Sequence, residues 1–188
     1  MGNCCNSNNS SIDWTKYNFD NTNEFSLNEL YLECRVVDIY DGDTCTCVLP
    51  LFDNYYKFKV RLADIDTCEM KSKGENKIFA NKARICLYNL VINSNSKTKL
   101  DLDSDISRKE MRALLNKNVY LIRILCGKFD KYGRLLGHLF KSDELKISTI
   151  HDILTKSFNH ELVKRNFAYL YKGDTKLTEV EQIDFLSI

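Results

Sequence analysis

Residues 34–48 read CRVVDIYDGDTCTCV, and this stretch decides the fold. The run from Thr44 to Val48 alternates polar and apolar side chains with a period of two, which is typical of a strand with one buried face. Asp41-Gly42-Asp43 separates this run from the apolar run before it, and Asp-Gly pairs commonly reverse an antiparallel chain. The stretch therefore predicts two strands joined by a tight turn, with Pro50 and Asp53-Asn54 closing the second strand.

The next segment predicts a strand, a loop and a helix. Tyr56–Leu62 predicts a third strand, and the polar segment 63–73 is too short and irregular for another, so we expect a loop that hangs on the sheet. Glu75–Val91 places apolar side chains at roughly helical spacing and contains Ala80 and Ala83, which are good helix formers. We expect this helix to pack on the sheet.

Polar connections alternate with apolar segments over the rest of the chain. The polar residues 93–105 predict a surface loop or an insertion, and 107–115 predict a short helix. Further elements follow: strands at Val119–Leu125 and Leu135–Phe140 around a turn at 128–133, then helices at 158–165 and 177–185. Five strands with helices between them predict an α+β fold built on a small, mostly antiparallel barrel.

Length and charge limit the classes of protein to consider. With 188 residues and 44% hydrophobic content, the chain can build one domain with appended segments. Residues 1–29 are rich in Asn, Ser, Asp and Thr and predict a flexible leader before a domain at 30–188. The formal net charge of +1 excludes a protein that holds nucleic acid by bulk charge. Any such contact must come from a local group of cations.

Three charged clusters lie at the ends of predicted strands or in the adjoining loops. Residues 41–44 read Asp-Gly-Asp-Thr, residues 61–69 place an arginine before three carboxylates, and residues 130–134 read Asp-Lys-Tyr-Gly-Arg. Taken singly, each cluster also suits an ordinary turn or a solvated loop. Together with Asn-x-x-Leu-Val at 159–163, they resemble the staphylococcal nuclease family, also called thermonucleases, over roughly residues 34–172.

This resemblance implies a five-stranded OB-type barrel with about three packed helices and an active site at one edge. It also implies a calcium-dependent endonuclease that cuts DNA and RNA, preferably single-stranded or unpaired, and leaves 3′-phosphate ends. The motifs assign six residues: Asp43, Asp66 and the carbonyl of Thr67 to Ca2+, Arg61 and Arg134 to the substrate phosphate, and Glu69 to catalysis. The alternative is a non-catalytic module that binds nucleic acid or a protein. Degenerate copies of this barrel lose the carboxylates or arginines, and this chain keeps them, which favours activity.

General chemistry supports these roles. Calcium prefers carboxylate and carbonyl oxygens and tolerates water among its ligands, so two aspartates and a carbonyl form an incomplete shell. Planar guanidinium groups match the phosphate oxygens, which gain charge during the reaction, with paired hydrogen bonds. A glutamate beside them can orient or deprotonate the attacking water.

Four further residues are assigned to substrate binding, and one position departs from the family pattern. Lys131 and Tyr132 are expected beside the terminal phosphate of the substrate, and Tyr169 and Tyr171 against a base. The family usually has proline where this chain has Cys68. That change predicts a looser backbone with weaker calcium binding, a reactive thiol, or a small side chain that fills the same space.

The N-terminus and the cysteines bear on location. Met1-Gly2-Asn3-Cys4-Cys5 has the layout of a doubly acylated anchor, with Gly2 for myristate and Cys4 or Cys5 for palmitate. No secretion signal precedes the eight cysteines, so we expect reduced thiols in an intracellular protein. We expect a monomer at the cytoplasmic face of a membrane if the chain is acylated, and a cytosolic one otherwise.

Overall fold

The computed structural model describes residues 12–92, 98–144 and 146–187, except for the side chain at position 154. Its centre is a closed barrel of five strands in the order β1-β2-β3-β6-β5. The barrel strands are β1 (Tyr31–Ile39), β2 (Thr44–Leu51), β3 (Asn54–Leu62), β5 (Leu121–Phe129) and β6 (Leu135–Lys141). Two short strands, β4 (Ile65–Asp66) and β7 (Tyr169–Leu170), pair outside the barrel.

The five-stranded barrel and the α+β class are confirmed, with one difference in strand direction. Neighbouring strands are antiparallel except β3 and β6, which pair in parallel, with Arg61 opposite Leu136. The barrel is therefore mixed. The parallel pair closes the sheet between strands that are far apart in sequence, so it depends on tertiary packing rather than on a local turn.

Five α-helices lie in the described residues, where the family resemblance implies about three and the sequence patterns predict four. They are α1 (Gly74–Val91), α2 (Arg108–Lys117), α3 (Ile150–Lys156), α4 (Phe158–Lys164) and α5 (Glu179–Leu186). The sequence patterns predicted all of these except α3. In α2, α3 and α5 a capping box closes the first turn, in which the N-cap hydroxyl and an acidic side chain bond each other's backbone N–H.

The barrel interior shows the predicted alternation. Cys45, Cys47 and Leu49 on β2 are buried while the residues between them are partly exposed. All six cysteines in the described part of the chain are free and buried. Leu27, four residues before β1, already belongs to this core. No helix in the described ranges is long and apolar enough to span a bilayer.

The segment expected to be a surface loop or insertion lies partly outside the described residues, at 93–97. From 98 to 105 it has no helix or strand, and it is fastened back onto α1. The Asn89 side chain exchanges two hydrogen bonds with the Leu100 backbone, and the Asn81 amide donates to the carbonyl of Ser104. These bonds lead the chain into α2, which packs against β1.

Several contacts gather the ends of β1, β3 and β4 at one edge of the barrel. The N–H of Leu62 donates to the carbonyl of Asp43 over 2.7 Å. Asn159, from the fourth motif, lies on α4 and donates to the carbonyls of Ala63 and Gly137. The turn at Gly42 lies so close to α1 that an added Cβ would stand 2.5 Å from the Cβ of Ala83. The predicted clusters at 41–44 and 61–69 are thereby held together.

Candidate active site

Arg61 is the centre of a buried ion cluster at this edge. Its Nη1 lies 3.0 Å from Oδ2 of Asp43, and its Nη2 lies 2.6 Å from Oδ1 of Asp66. Only 8% of the Arg61 side chain is exposed, and Nη1 also donates to the carbonyl of Leu62. One guanidinium therefore holds the two aspartates that the sequence assigned to the metal, and its direction is fixed.

The other contacts of Asp43 come from its neighbours. The backbone N–H and the hydroxyl of Thr67 both donate to Oδ2 of Asp43, over 3.1 and 3.2 Å, and the hydroxyl of Thr44 donates to Oδ1. Thr67 is itself buried. The structure thus brings together Asp43, Asp66 and Thr67, as the sequence predicted.

Asp66 has two partners that the sequence did not suggest. Oδ2 accepts a 2.6 Å hydrogen bond from the hydroxyl of Tyr169, and Oδ1 lies 2.9 Å from Nζ of Lys176. The same ammonium lies 3.3 Å from Oε1 of Glu69. Burial alone would lower the pKa of Lys176, but Asp66 and Glu69 outweigh it and raise the pKa. Lys176 is thus a cation bridging the expected metal ligand and the expected catalytic carboxylate.

Asp41 adds a further buried carboxylate. It accepts a hydrogen bond from the N–H of Asp43 and is 6% exposed. Burial, with repulsion from Asp43, raises the pKa of Asp41 to about 8. Burial also raises the pKa of Asp43, although Arg61 opposes the change. Burial at this edge therefore favours the protonated form of both carboxylates.

Arg134 lies in the turn between β5 and β6. Its Nε donates to Oδ2 of Asp130 over 2.7 Å, and Oδ1 of Asp130 accepts from the backbone N–H groups of Tyr132 and Arg134. The guanidinium and Lys131 both lie over the ring of Tyr132. About 30% of the Arg134 side chain is exposed. The side chain therefore reaches outward from a tightly bonded turn.

Two clefts meet at the two arginines. The first has a volume of about 430 Å³ and includes Lys131, Tyr132 and Tyr171 in its lining, and the second has about 300 Å³ and includes Asp43 and Glu69. Among the residues that the structure describes, only Arg61 and Arg134 line both clefts. The aromatic cleft and the carboxylate cleft are therefore joined by the pair of residues best suited to hold a phosphate.

The two tyrosines assigned to the substrate have different positions. Tyr171 lines the first cleft, where its hydroxyl donates to the carbonyl of Asp174. Tyr169 is 4% exposed and does not line that cleft, because its ring packs against Phe185 and its hydroxyl bonds Asp66. Tyr169 therefore supports a metal-ligand candidate from behind, and Tyr171 remains available to a base.

Cys68 occupies the position where the family usually has proline. It is 1% exposed and packs with Ala80 and Leu186, and its sulfur accepts a long hydrogen bond from Asn76. Burial raises the pKa of the thiol. A buried thiol with a raised pKa is a poor nucleophile, which argues against the reactive thiol, and the contacts with Ala80 and Leu186 fit a side chain that fills space.

The donors at this edge fit a hard divalent cation better than a soft one. The cluster offers carboxylate and backbone oxygens, with Asp41, Asp43, Asp66 and Glu69 set against Arg61 and Lys176. Within the described part of the chain, no three His, Cys, Asp or Glu side chains are grouped as ligands. A metal here would therefore take two aspartates, with its remaining ligands from backbone, water or substrate, which is a pattern that calcium accepts.

The fold and this edge define a class of protein, an OB-type barrel with a carboxylate–arginine cluster at its rim. Residues 59–187 match the family described as staphylococcal nuclease homologue, and the chain belongs to that family. The match contains Arg61, Asp66, Thr67, Glu69 and Arg134. Asp43 precedes the match, but β1 and β2 complete the same barrel. No curated protein matches the chain.

Proposed function

We propose that this protein is a calcium-dependent nuclease that hydrolyses phosphodiester bonds in single-stranded or unpaired DNA and RNA. One observation carries the proposal: Arg61 and Arg134 are shared by a cleft with aromatic residues and a cleft with the carboxylate cluster. A phosphodiester between these arginines would have a nucleotide in the first cleft and Glu69 beside it in the second. Membership of the nuclease family supports the same reading.

The two arginines hold the phosphate in different ways. Arg61 is already fixed by Asp43 and Asp66, so its side chain loses little conformational entropy when it binds the phosphate. Arg134 lies in a turn and can adjust to the phosphate from the other side. Preorganised donors aimed at developing charge commonly contribute a factor of about 10² to 10³ each to the rate.

Glu69 is the candidate for orienting or deprotonating the attacking water. It is 38% exposed and lines the second cleft. A water oxygen forms a bond to phosphorus while the bond to the 5′ oxygen breaks, Glu69 accepts or orients the proton of the water, and the departing oxygen takes a proton from solvent. The products are a 3′-phosphate and a 5′-hydroxyl. Calcium, when bound through Asp43, Asp66 and Thr67, would supply positive charge that lowers the pKa of the water and offsets charge on phosphate.

One observation favours a second candidate, a nuclease-like module that binds without cutting. Both oxygens of Asp66 are engaged by protein donors, namely Arg61, Lys176 and Tyr169. A metal at Asp66 must share these oxygens or displace Lys176. If Lys176 keeps its place, the edge remains a binding surface for nucleic acid.

A gel assay separates the two candidates. Purified protein is incubated with single-stranded DNA, RNA and supercoiled plasmid in Ca2+, in Mg2+ or in chelator. We expect cleavage of single-stranded substrates in Ca2+, with ends that a 3′-phosphatase can repair. Cleavage in chelator would contradict the role of the metal, and absence of cleavage under all conditions would favour the binding module.

We also propose that the N-terminus anchors the enzyme to the cytoplasmic face of a membrane. Gly2, Cys4 and Cys5 lie outside the described residues, so the proposal rests on their sequence layout and on the need for two lipid signals in stable attachment. Gly2→Ala should move the protein from the membrane fraction to the soluble fraction in cells. An unchanged distribution would contradict the anchor.

A further inference from the structure

A third cleft continues from the carboxylate cleft, away from the aromatic one. Its volume is about 360 Å³, and Thr46 on β2 lines both it and the second cleft. Neither Lys131, Tyr132 nor Tyr171 belongs to it. The three clefts therefore form a series, with Arg61 and Arg134 between the first and second and Thr46 between the second and third.

Two lysines of β3 line this continuation. Lys59 lies opposite Thr46 in the second cleft, and Lys57 lies opposite Val48 in the third. Both are exposed, and their spacing of two residues places them on the same face of the strand. No ion pair of either lysine occurs among the described residues. Both ammonium groups are therefore available to an anionic ligand.

The other wall comes from α2, which supplies two arginines. Arg108 and Arg112 both bond the carboxylate of Asp38, while 43% and 50% of their side chains stay exposed. Burial alone would raise the pKa of Asp38, but the hydrogen bonds from the two arginines outweigh it and lower the pKa. Asp38 thus orients two guanidinium groups while it neutralises only one positive charge. The hydrogen bonds of Arg108 to it use Nε and Nη2, which leaves Nη1.

Tyr40 supplies an aromatic surface beside these cations. It is 42% exposed, it lines the second cleft, and the Arg108 guanidinium lies 4.9 Å from the centre of its ring. Proteins that bind single-stranded nucleic acid combine a positively charged groove along the backbone with aromatic rings on which bases stack. Four cations along the second and third clefts, with an exposed tyrosine beside them, match that description.

We propose that Lys57, Lys59, Arg108 and Arg112 form a second binding site, for the phosphodiester backbone of single-stranded nucleic acid. It holds the strand beyond the Arg61–Arg134 pair, on the side away from Tyr132. This inference rests on the proposed function for the position of the strand at the two arginines. With a nucleotide chain held on both sides of the scissile phosphate, the enzyme cuts within a strand rather than from its end.

The charge of the whole chain supports a local site. The formal net charge of the chain is only +1, whereas these four cations have Asp38 alone as an ion-pair partner among the described residues and so carry a local excess of positive charge. Because the net charge is small, long-range attraction of the whole protein for nucleic acid is weak. Affinity must therefore come from contacts with individual phosphates. The length of strand that is bound should therefore decide the affinity.

The test measures binding in chelator. Fluorescence anisotropy compares a single-stranded DNA of 12 nucleotides, within the range of roughly 4 to 16 that one OB-type barrel covers, with a dinucleotide. The variants are Lys57→Gln/Lys59→Gln and, as a matched control, Lys109→Gln/Lys117→Gln, which removes two exposed lysines of α2 that line none of the three clefts. A gel confirms that the DNA stays intact.

We expect Lys57→Gln/Lys59→Gln to weaken binding of the 12-mer roughly tenfold at low salt and to leave dinucleotide binding unchanged. The slope of log affinity against log salt should become shallower by about 1.4, from about 0.7 per lost phosphate contact. The control pair should bind like the wild type. Equal losses in both pairs, or no loss of 12-mer binding, would overturn the proposal. Failure of the proposed nuclease function would give a different result: no cleavage in Ca2+, while the wild type and both variant pairs bind the 12-mer as predicted here.

Discussion

The two arginines at the centre of the site are held in opposite ways. Arg61 is buried and bonded to two buried aspartates from different segments. Arg134 is partly exposed and bonded to Asp130, four residues earlier in the same turn. Arg61 is therefore part of the folded structure as well as of the site, whereas Arg134 belongs to a turn that stands by its own backbone hydrogen bonds. We therefore expect substitution of Arg61 to reduce both stability and activity, and substitution of Arg134 to reduce activity alone.

The largest effect is expected at Arg61. Arg61→Gln leaves Asp43 and Asp66 buried without their main counter-charge, and breaking a buried ion pair from one side costs about 3–5 kcal/mol. Cleavage should also fall by about 10² to 10³ or more. Chemical denaturation in chelator measures the first and cleavage in Ca2+ the second. Arg165→Gln, which removes an exposed arginine paired with Glu161, is the control and should change neither by much.

Arg134→Gln should affect activity alone. Its ion pair with Asp130 is partly exposed, so its loss should cost under about 1 kcal/mol, while cleavage falls by about 10² to 10³. The same two measurements apply. A loss of stability as large as that of Arg61→Gln would show that the turn depends on the guanidinium, and the contrast between the two arginines would fail.

The Arg61 region and the Arg134 turn each contain a glycine, and alanine substitutions compare the steric constraints of the two regions. Gly42→Ala would place a Cβ 2.5 Å from the Cβ of Ala83 and 2.9 Å from Cγ2 of Thr67, so we expect a loss of about 1–3 kcal/mol from overpacking. Gly133 has open space around it but a φ of +75°, so Gly133→Ala should cost about 1–2 kcal/mol of backbone strain. Thermal unfolding measures both. Gly42→Ala alone should also reduce calcium-dependent cleavage, because it pushes Thr67 away from Asp43.

Carboxylates in the two regions should respond to pH in opposite directions. The pKa of Asp41 is raised to about 8, so its contribution to stability is present at low pH and is lost as pH rises from about 4 through 8. Asp41→Asn should remove that decline. Burial alone would raise the pKa of Asp130, but hydrogen bonds from Arg134 and Tyr132 lower it, so Asp130 stabilises above its ordinary pKa and loses that effect in acid. Denaturation curves across pH, in chelator, test both signs.

The sequence predicts elements that depend on local patterns well and contacts that depend on tertiary packing poorly. The hairpin around Asp41-Gly42-Asp43 and helix α1 follow from period and turn chemistry. Helix α3 was missed, although Thr149 and Asp152 form its capping box. The parallel pairing of β3 with β6 leaves no local signal.

The same distinction between local patterns and tertiary contacts applies to the predictions for the site. The motifs predicted that Asp43, Arg61, Asp66, Thr67 and Glu69 would come together, and the structure brings them together. Lys176 was missed because it is 107 residues from Glu69 and belongs to no motif. The sequence also offered no sign that Asp41 would be buried beside Asp43, or that Tyr169 would bond Asp66 rather than face the cleft.

The most direct test of the account is the rate of cutting with and without the carboxylate of Glu69. Glu69 is partly exposed, and its one described ion pair is with Lys176, so Glu69→Gln should leave the fold intact. Single-turnover cleavage of an end-labelled 12-mer in saturating Ca2+ compares wild type with Glu69→Gln. We predict a rate roughly 10²-fold lower or more, with 12-mer affinity in chelator unchanged. Equal rates would contradict the assignment of Glu69, and with it the proposed catalytic centre.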